Sequence, residues 1–393
     1  MKYLAILGRN KVLSLAELMS LYNNVRKVGG GCASFESASS VNIDRLGGCL
    51  KLAQEIEGPV VKWLMSLPEG KIVLGVSDYS KGAASRAVRA EALKLKKILV
   101  RHGRSVRVVL GEGAMLSSAT VLHNGLGRSE HKVELIKLDG TWYVGCGVQN
   151  IDAYARRDQA RPARDAKVGM LPPKLAQILL NLCGELPSGA RVLDPFCGTG
   201  VVLQEALLMG YRVYGTDIDE RMVRYTKRNL EWFINGSEQM FARSASTQPV
   251  FTDASRSCSQ QLRTSSQTLL TSVGDAAKFT WEQPVDAVAC EAYLGPPLKT
   301  VPTDVELKEI KQEIDSLLYN TLKNLSRQLK SGVPVVMAVP AWLRPDGLYS
   351  GLDLLDEIDS LGYNVKKFAS VGRLLYHRDG QVVAREIIVL RKK

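Results

Sequence analysis

The stretch VLDPFCGTG, Val192 to Gly200, decides how the C-terminal half of the chain is read. An apolar run ends in a carboxylate, Asp194. A turn carrying Gly198 and Gly200 follows, and then the apolar VVLQEALLMG, closed by Gly210. The order is strand, glycine turn, helix. The turn is not GxGxxG, whose first glycines bring backbone against a pyrophosphate. An acid at this strand end repels phosphate and suits a cationic ligand. The glycines let that ligand approach the backbone closely.

The following strands repeat the device. RVYGTDID places Asp217 at a strand terminus with Ile218 beside it, and TLLTSVGDA ends in Asp275 and Ala276. PVDAVACEAY ends in Glu291. One acidic strand end reads equally well as a helix N-cap. Four on successive strands read as a ligand edge. A sulfonium and amino group suit Asp194, two ribose hydroxyls suit Asp217, and an adenine amino group suits Asp275, with Ala276 offering backbone. The reading is an S-adenosylmethionine site built from Asp194, Phe196, Cys197, Gly198, Thr199, Gly200, Asp217, Ile218, Asp275 and Ala276. Within it Cys197 is a small packing residue.

Further out, Pro172-Pro173 opens a helix over 173–183. Residues 304–330 form an amphipathic helix with Ile310, Ile314, Leu317, Leu318, Leu322, Leu325 and Leu329 inward. GVPVVMAVPAW is a buried strand, LDLLDEIDSLG a helix closed by Gly362, and YNVKKFASV with REIIVLRK an antiparallel closing hairpin. The fold class is α/β. A Rossmann-type domain, 171–393, carries a mainly parallel seven-stranded sheet with helices on both faces. The Ser-, Thr- and Gln-rich segment 236–268 is expected to be a mobile surface insertion.

The N-terminal half divides into an α/β unit at 1–68 and a second module at 69–150. In the first, YLAIL is a strand and LSLAELMSLY a helix with Ser14 as N-cap. The second carries a hairpin turning at Asp139-Gly140. It also carries a basic helix, 86–101, whose Ala87, Ala90, Leu93, Lys97 and Val100 fall along one flank. Residues 151–170 are a charged linker. Net charge is +12, and Lys or Arg crowd 81–107 against a lone Glu91. Such a patch favours polyanions. Arg86, Arg89, Lys94, Lys97 and Arg101, with Arg157 and Arg161 of the linker, are the candidate RNA contacts. No apolar run approaches the roughly 20 residues of a membrane span. The N-terminus is too polar for a signal peptide. The seven cysteines form no CxxC pair, and the four histidines lack ligand spacing, so no metal is implied. A reducing cytoplasmic compartment is expected.

The chain resembles the THUMP-domain tRNA guanosine N2-methyltransferases, the class acting on guanosine 10. YLAILGRNKVLSLAEL, RLGG, LSSATVLHNGL, RRDQARPARDAKVGMLPPKLAQILLNL and LDPFCGTG carry the resemblance over nearly the whole chain. It implies a ferredoxin-like domain and a THUMP domain that binds tRNA, joined to the methyltransferase. Some relatives use a small zinc-binding activator protein; otherwise a monomer is expected. Family members carry an Asp-Pro-Pro-Tyr tetrad after the fourth strand. Here the sequence is EAYLGPP, so Glu291 and Tyr293 are the candidate acceptor and base platform, without a proline after the acid. Three readings stay open. The pair does the usual work on guanine N2, the chain methylates another tRNA position or atom, or it is a non-catalytic tRNA-binding member of the fold.

Overall fold

Alternating apolar strands and amphipathic helices need opposite faces covered, and the chain meets that need in two units. The computed structural model describes residues 1–165, 170–245, 269–369 and 371–393, without the side chains of 237–245. Met1–Ala153 belong to the first unit. Tyr154–Ser237 and the described residues from Leu269 onward belong to the second.

The first unit runs β1 (Lys2–Leu7), α1 (Lys11–Leu21), β2 (Asn23–Val28), β3 (Cys32–Glu36), β4 (Cys49–Glu55), α2 (Val60–Met65), β5 (Ile72–Asp78), α3 (Ser85–Arg101), β6 (Val106–Val109), α4 (Ser118–Asn124), β7 (Lys132–Leu138) and β8 (Thr141–Val148). One eight-stranded sheet holds them in the order β2-β3-β1-β4-β8-β7-β5-β6. Strands from before and after residue 68 meet where β4 pairs antiparallel with β8. The β7–β8 hairpin turns at Asp139 and Gly140, both at positive φ, as a primed turn requires. Beneath the sheet, Lys51 Nζ meets Glu134 Oε1 at 2.6 Å with both side chains 3% exposed. Ser77 Oγ donates to the same carboxylate, which leaves no charge there without a partner.

Two expectations in this unit are corrected. Asn10, not Ser14, caps α1: its Oδ1 accepts the Leu13 N–H, while Ser14 sits inside the helix and donates to Gly48 O. In α3 the buried stripe is Val88, Ala92, Leu95 and Leu99, whereas Leu93 and Val100 are exposed. The small side chains of Ala87 and Ala90 are as compatible with solvent as with a core. The stripe is therefore set by the larger residues one position away.

The second unit runs from α5 (Ile151–Gln159, in this unit from Tyr154) through α6 (Pro173–Leu182), β9 (Arg191–Asp194), α7 (Val201–Leu208), β10 (Arg212–Asp217), α8 (Glu220–Ala245, in this unit to Ser237), β11 (Leu269–Val273), β12 (Ala287–Glu291), α9 (Asp304–Gln328), β13 (Pro334–Leu343), β14 (Tyr349–Ser350), β15 (Tyr363–Val365), β16 (Leu375–Tyr376) and β17 (Val383–Lys392). The strand order is β11-β10-β9-β12-β13-β17-β15, with β14 on β13 and β16 on β17. The first five of these run parallel, and β17 is antiparallel to both its neighbours. This is the expected seven-stranded, mainly parallel Rossmann-type sheet. Its order reverses between β9 and β12, and ligands of open α/β sheets sit outside the carboxyl ends of strands at such a switch point.

The core gathers Val288, Cys290, Val335, Met337 and Val339 of the sheet against Ile314, Leu318, Leu322 and Leu325 of α9. A capping box at Thr303 and Glu306 starts α9. LDLLDEIDSLG is a short 3-10 turn at Asp353–Asp356 followed by turns, not a helix. Leu354, Ile358 and Leu361 are buried as a helix would bury them. Asp315 instead takes the N–H groups of Asp353 and Leu354. The linker is corrected too, because α5 occupies its first half. Finally, α8 continues helical to Ala245, inside the segment read as an insertion, and residues 246–268 lie outside the described residues.

Candidate functional site

The turn after β9 is built from backbone donors and strand-end acids. Asp194, 2% exposed, accepts the Phe196 N–H at 3.1 Å. Asp217 accepts the Gly198 N–H at 2.9 Å on one oxygen and the Asp219 N–H at 3.0 Å on the other. Each oxygen keeps a second lone pair for a ligand. Gly198 and Gly200 both take positive φ. Among the described residues, a Cβ on Gly198 would meet only Phe196 O, at 3.9 Å, which leaves room beside it. Gly215 of β10 has no such room, since a Cβ would lie 2.5 Å from Leu203 and 3.1 Å from Cys197. That close approach seats Cys197, which is 4% exposed, as packing. Burial pushes its thiol well up, which disfavours a nucleophilic thiolate.

A pocket joins this turn to the end of β12. Asp194, Phe196, Cys197, Gly198, Thr199 and Glu291 line it, with Met170, Leu171 and Met222 closing the apolar side. Asp217 does not line it, but holds the N–H of Gly198, which does. Ile218, next to Asp217, is 73% exposed and apolar, as a platform for a flat ring would be. Asp275 lies past the end of β11 with Oδ1 accepting the Ala277 N–H. The Ala276 carbonyl is taken by Asn324 Nδ2. Neither residue lines the pocket. Buried anionic groups, open space at Gly198 and apolar walls together fit a sulfonium cofactor with an apolar ring.

Glu291 ends β12 with its side chain 16% exposed, and Arg385 Nε donates to its Oε1. Burial pushes the Glu291 carboxyl up, and Arg385 pulls it back. Burial pushes Asp194 up further. The Phe196 N–H opposes this, while Asp217 and Glu291 reinforce it. Beyond Glu291, Ala292 stays paired with β13 through Ala338 O. Tyr293 is 43% exposed and does not line the pocket. The turn closes at Gly295, where a Cβ would lie 3.0 Å from Ile314 of α9. The stiffness that a proline after the acid would supply thus comes from tight packing three residues later.

The RNA contacts expected in the linker are corrected. Arg157, 6% exposed, is ion-paired with Glu205 at 2.7 Å. Arg161, 3% exposed, donates to Thr199 Oγ1 at 3.2 Å. Both charges are committed inside the second unit, where Arg161 backs the glycine turn. Asn229, which bonds the Thr199 and Ala163 carbonyls, does the same from α8. In the first unit Arg86, Arg89, Lys94, Lys97 and Arg101 are all exposed on α3. Sequence reading missed Arg385, Asn229 and the pocket wall at Met170, Leu171 and Met222. None of these carries a local signal, because each reaches the site through tertiary packing.

Residues 161–339 match the family described as UPF0020, an RMKL-like methyltransferase domain. The chain is 51% identical over 78 residues to the tRNA (guanine(10)-N2)-dimethyltransferase of Methanothermobacter thermautotrophicus, covering 19% of this chain and 23% of the relative. To the protein of that name from Methanocaldococcus jannaschii it is 31% identical over 156 residues, covering 39% of this chain and 44% of the relative. The matched stretches span less than half the length of either relative. The crystal structure of TrmN from Thermus thermophilus aligns over 100% of both chains with a TM-score of 0.45 and 20% identity.

Ionised Asp194 and Asp217 favour a cation in the pocket, and burial raises both carboxyls. Protonation at lower pH should therefore weaken S-adenosylmethionine more than its uncharged-sulfur product, S-adenosylhomocysteine. Calorimetry at pH 6 and pH 8 is expected to show the preference for the sulfonium rising with pH. An equal ratio at both would count against a charge-reading pocket.

Proposed function

We propose that this chain is an S-adenosylmethionine-dependent methyltransferase acting on the exocyclic N2 amine of a guanosine in tRNA. One observation carries the reading: Glu291 at the end of β12 lines the same pocket as Asp194 and the turn Phe196–Thr199. An acceptor for an amine hydrogen and a cofactor turn thus face one space. The family matched by residues 161–339 supports methyl transfer. The names of the relatives support tRNA as substrate and guanosine 10 as position.

Guanine N2 is a poor nucleophile because its lone pair is delocalised into the ring. When bound, S-adenosylmethionine supplies the methyl group, its C–S bond breaking as the N–C bond forms and the electron pair leaving on sulfur. The chain's part is to hold the amine and take its proton. Glu291 accepts an N2 hydrogen, orients the lone pair toward the pocket and passes the surplus proton to water. Tyr293, half-exposed two residues after Glu291, is the stacking platform for a base turned out of its helix. Asp194 and Asp217 hold the cofactor's charged and ribose parts, and Ile218 covers its ring. Asp275 and Ala276 edge the ring side.

Residues 69–150 serve as a THUMP module, and Arg86, Arg89, Lys94, Lys97 and Arg101 along α3 contact tRNA phosphates. The supporting feature is their common exposure on one helix with Val88, Ala92, Leu95 and Leu99 inward. Cytoplasm is a compartment that fits such a substrate. A zinc-binding activator subunit remains a partner suggested by resemblance alone.

Labelled methyl transfer to unmodified tRNA, followed by nucleoside mass spectrometry, is expected to yield N2-methylguanosine. Glu291→Ala should lower the transfer rate about 100-fold or more, and Tyr293→Ala should lower it while sparing cofactor affinity. Undiminished transfer in both variants would sink the assignment. Independently, Arg89→Glu with Lys97→Glu should weaken tRNA binding and flatten its salt dependence. An unchanged salt slope would remove α3 from the interface.

A further inference from the structure

Glu291 and Arg385 lie on strands that do not touch, with β13 between them. Glu291 stands opposite Ala338, and Ala338 opposite Ile387. Side chains alternate along a strand, so Arg385, two residues from Ile387, shares the face of Glu291. Ala338 carries only a methyl group there, and Pro340 stands opposite Arg385. The guanidinium can therefore pass over the central strand, where its Nε donates to Glu291 Oε1. The side chains are 8% and 16% exposed. The adjacent Glu386 points to the other face, where Arg373 holds it through two hydrogen bonds. It does not compete for Arg385. Among the described residues Asp194 of β9 shares the pocket with Glu291, and the Glu291 charge helps hold the Asp194 carboxyl above its ordinary range.

We infer that Arg385 is a positioning residue of the transfer site, pinning one oxygen of Glu291 and leaving Oε2 to accept the substrate amine. This rests on the proposed methyl transfer to an amine and deepens it. A carboxylate enclosed beside Asp194 would otherwise take up a proton, and a protonated acid is a donor that cannot orient an N–H. The pair also gives the longer side chain a function. Glu carries its carboxylate one methylene beyond an Asp, far enough to meet a guanidinium arriving from β17 while still lining the pocket.

The test combines two readouts on the full chain. Carbon-13 NMR of labelled glutamate carboxyls follows Glu291, its signal assigned by its loss in Glu291→Gln. Methyl transfer to tRNA is followed across the same pH range. In the wild-type chain Glu291 is expected to be ionised at pH 7. In Arg385→Gln its midpoint should move up, and the rate at pH 7 should fall about tenfold for each unit by which that midpoint passes pH 7. Arg385→Lys should recover most of the midpoint but less of the rate, because an ammonium does not reproduce the planar fork. A midpoint unmoved in Arg385→Gln, or a wild-type Glu291 protonated at pH 7, would overturn the inference. The wild-type titration needs only Glu291→Gln to fold, for the assignment of the signal. The NMR readout stands even if tRNA is not methylated, so failure of the pair and failure of the proposed function remain distinguishable.

Discussion

Burying a carboxylate is costly, and the C-terminal edge of the second sheet buries several. Asp194 and Glu291 end adjacent parallel strands, and Asp217 ends the strand on the far side of Asp194. Each needs compensation, and each receives it. Asp194 takes a backbone N–H, Asp217 takes two, and Glu291 takes a guanidinium. The arrangement places negative charge where the strand order reverses and a ligand can enter. Much of the rest of the unit supports it. Gly215 lets Cys197 close on β10, while Arg161 and Asn229 hold Thr199 from behind.

The loop after β12 is held at both ends without a proline following the acid. A proline following the acid would fix the backbone directly. Here Ala292 extends the pairing with β13 by one residue, and Gly295 at positive φ packs against Ile314. The loop is anchored at both ends, with Tyr293 exposed between them. The scrambled order of acid, aromatic and prolines therefore does not imply a slack site.

The strand ends and the glycine turn were legible because their signals are local. Strand periodicity, the glycine turn and acids at strand ends all lie within a few residues of one another, and Asp194, Asp217 and Glu291 emerge at one edge as read. What escaped reading depends on distant partners. Arg385 meets Glu291 across 94 residues of chain. Arg157 and Arg161 looked like a solvated linker because charge without a visible partner reads as exposed. Their partners, Glu205 and Thr199, lie 48 and 38 residues on. In α3 the pattern was read off small alanines, which carry little preference for either face. The larger Val88, Leu95 and Leu99 set the buried stripe.

The account stands on the acceptor being an exocyclic amine held by Glu291. Inosine is guanosine without that amine, so a tRNA with inosine at position 10 isolates the claim. Transfer to the guanosine form and none to the inosine form is the predicted result. Equal methylation of both would contradict it.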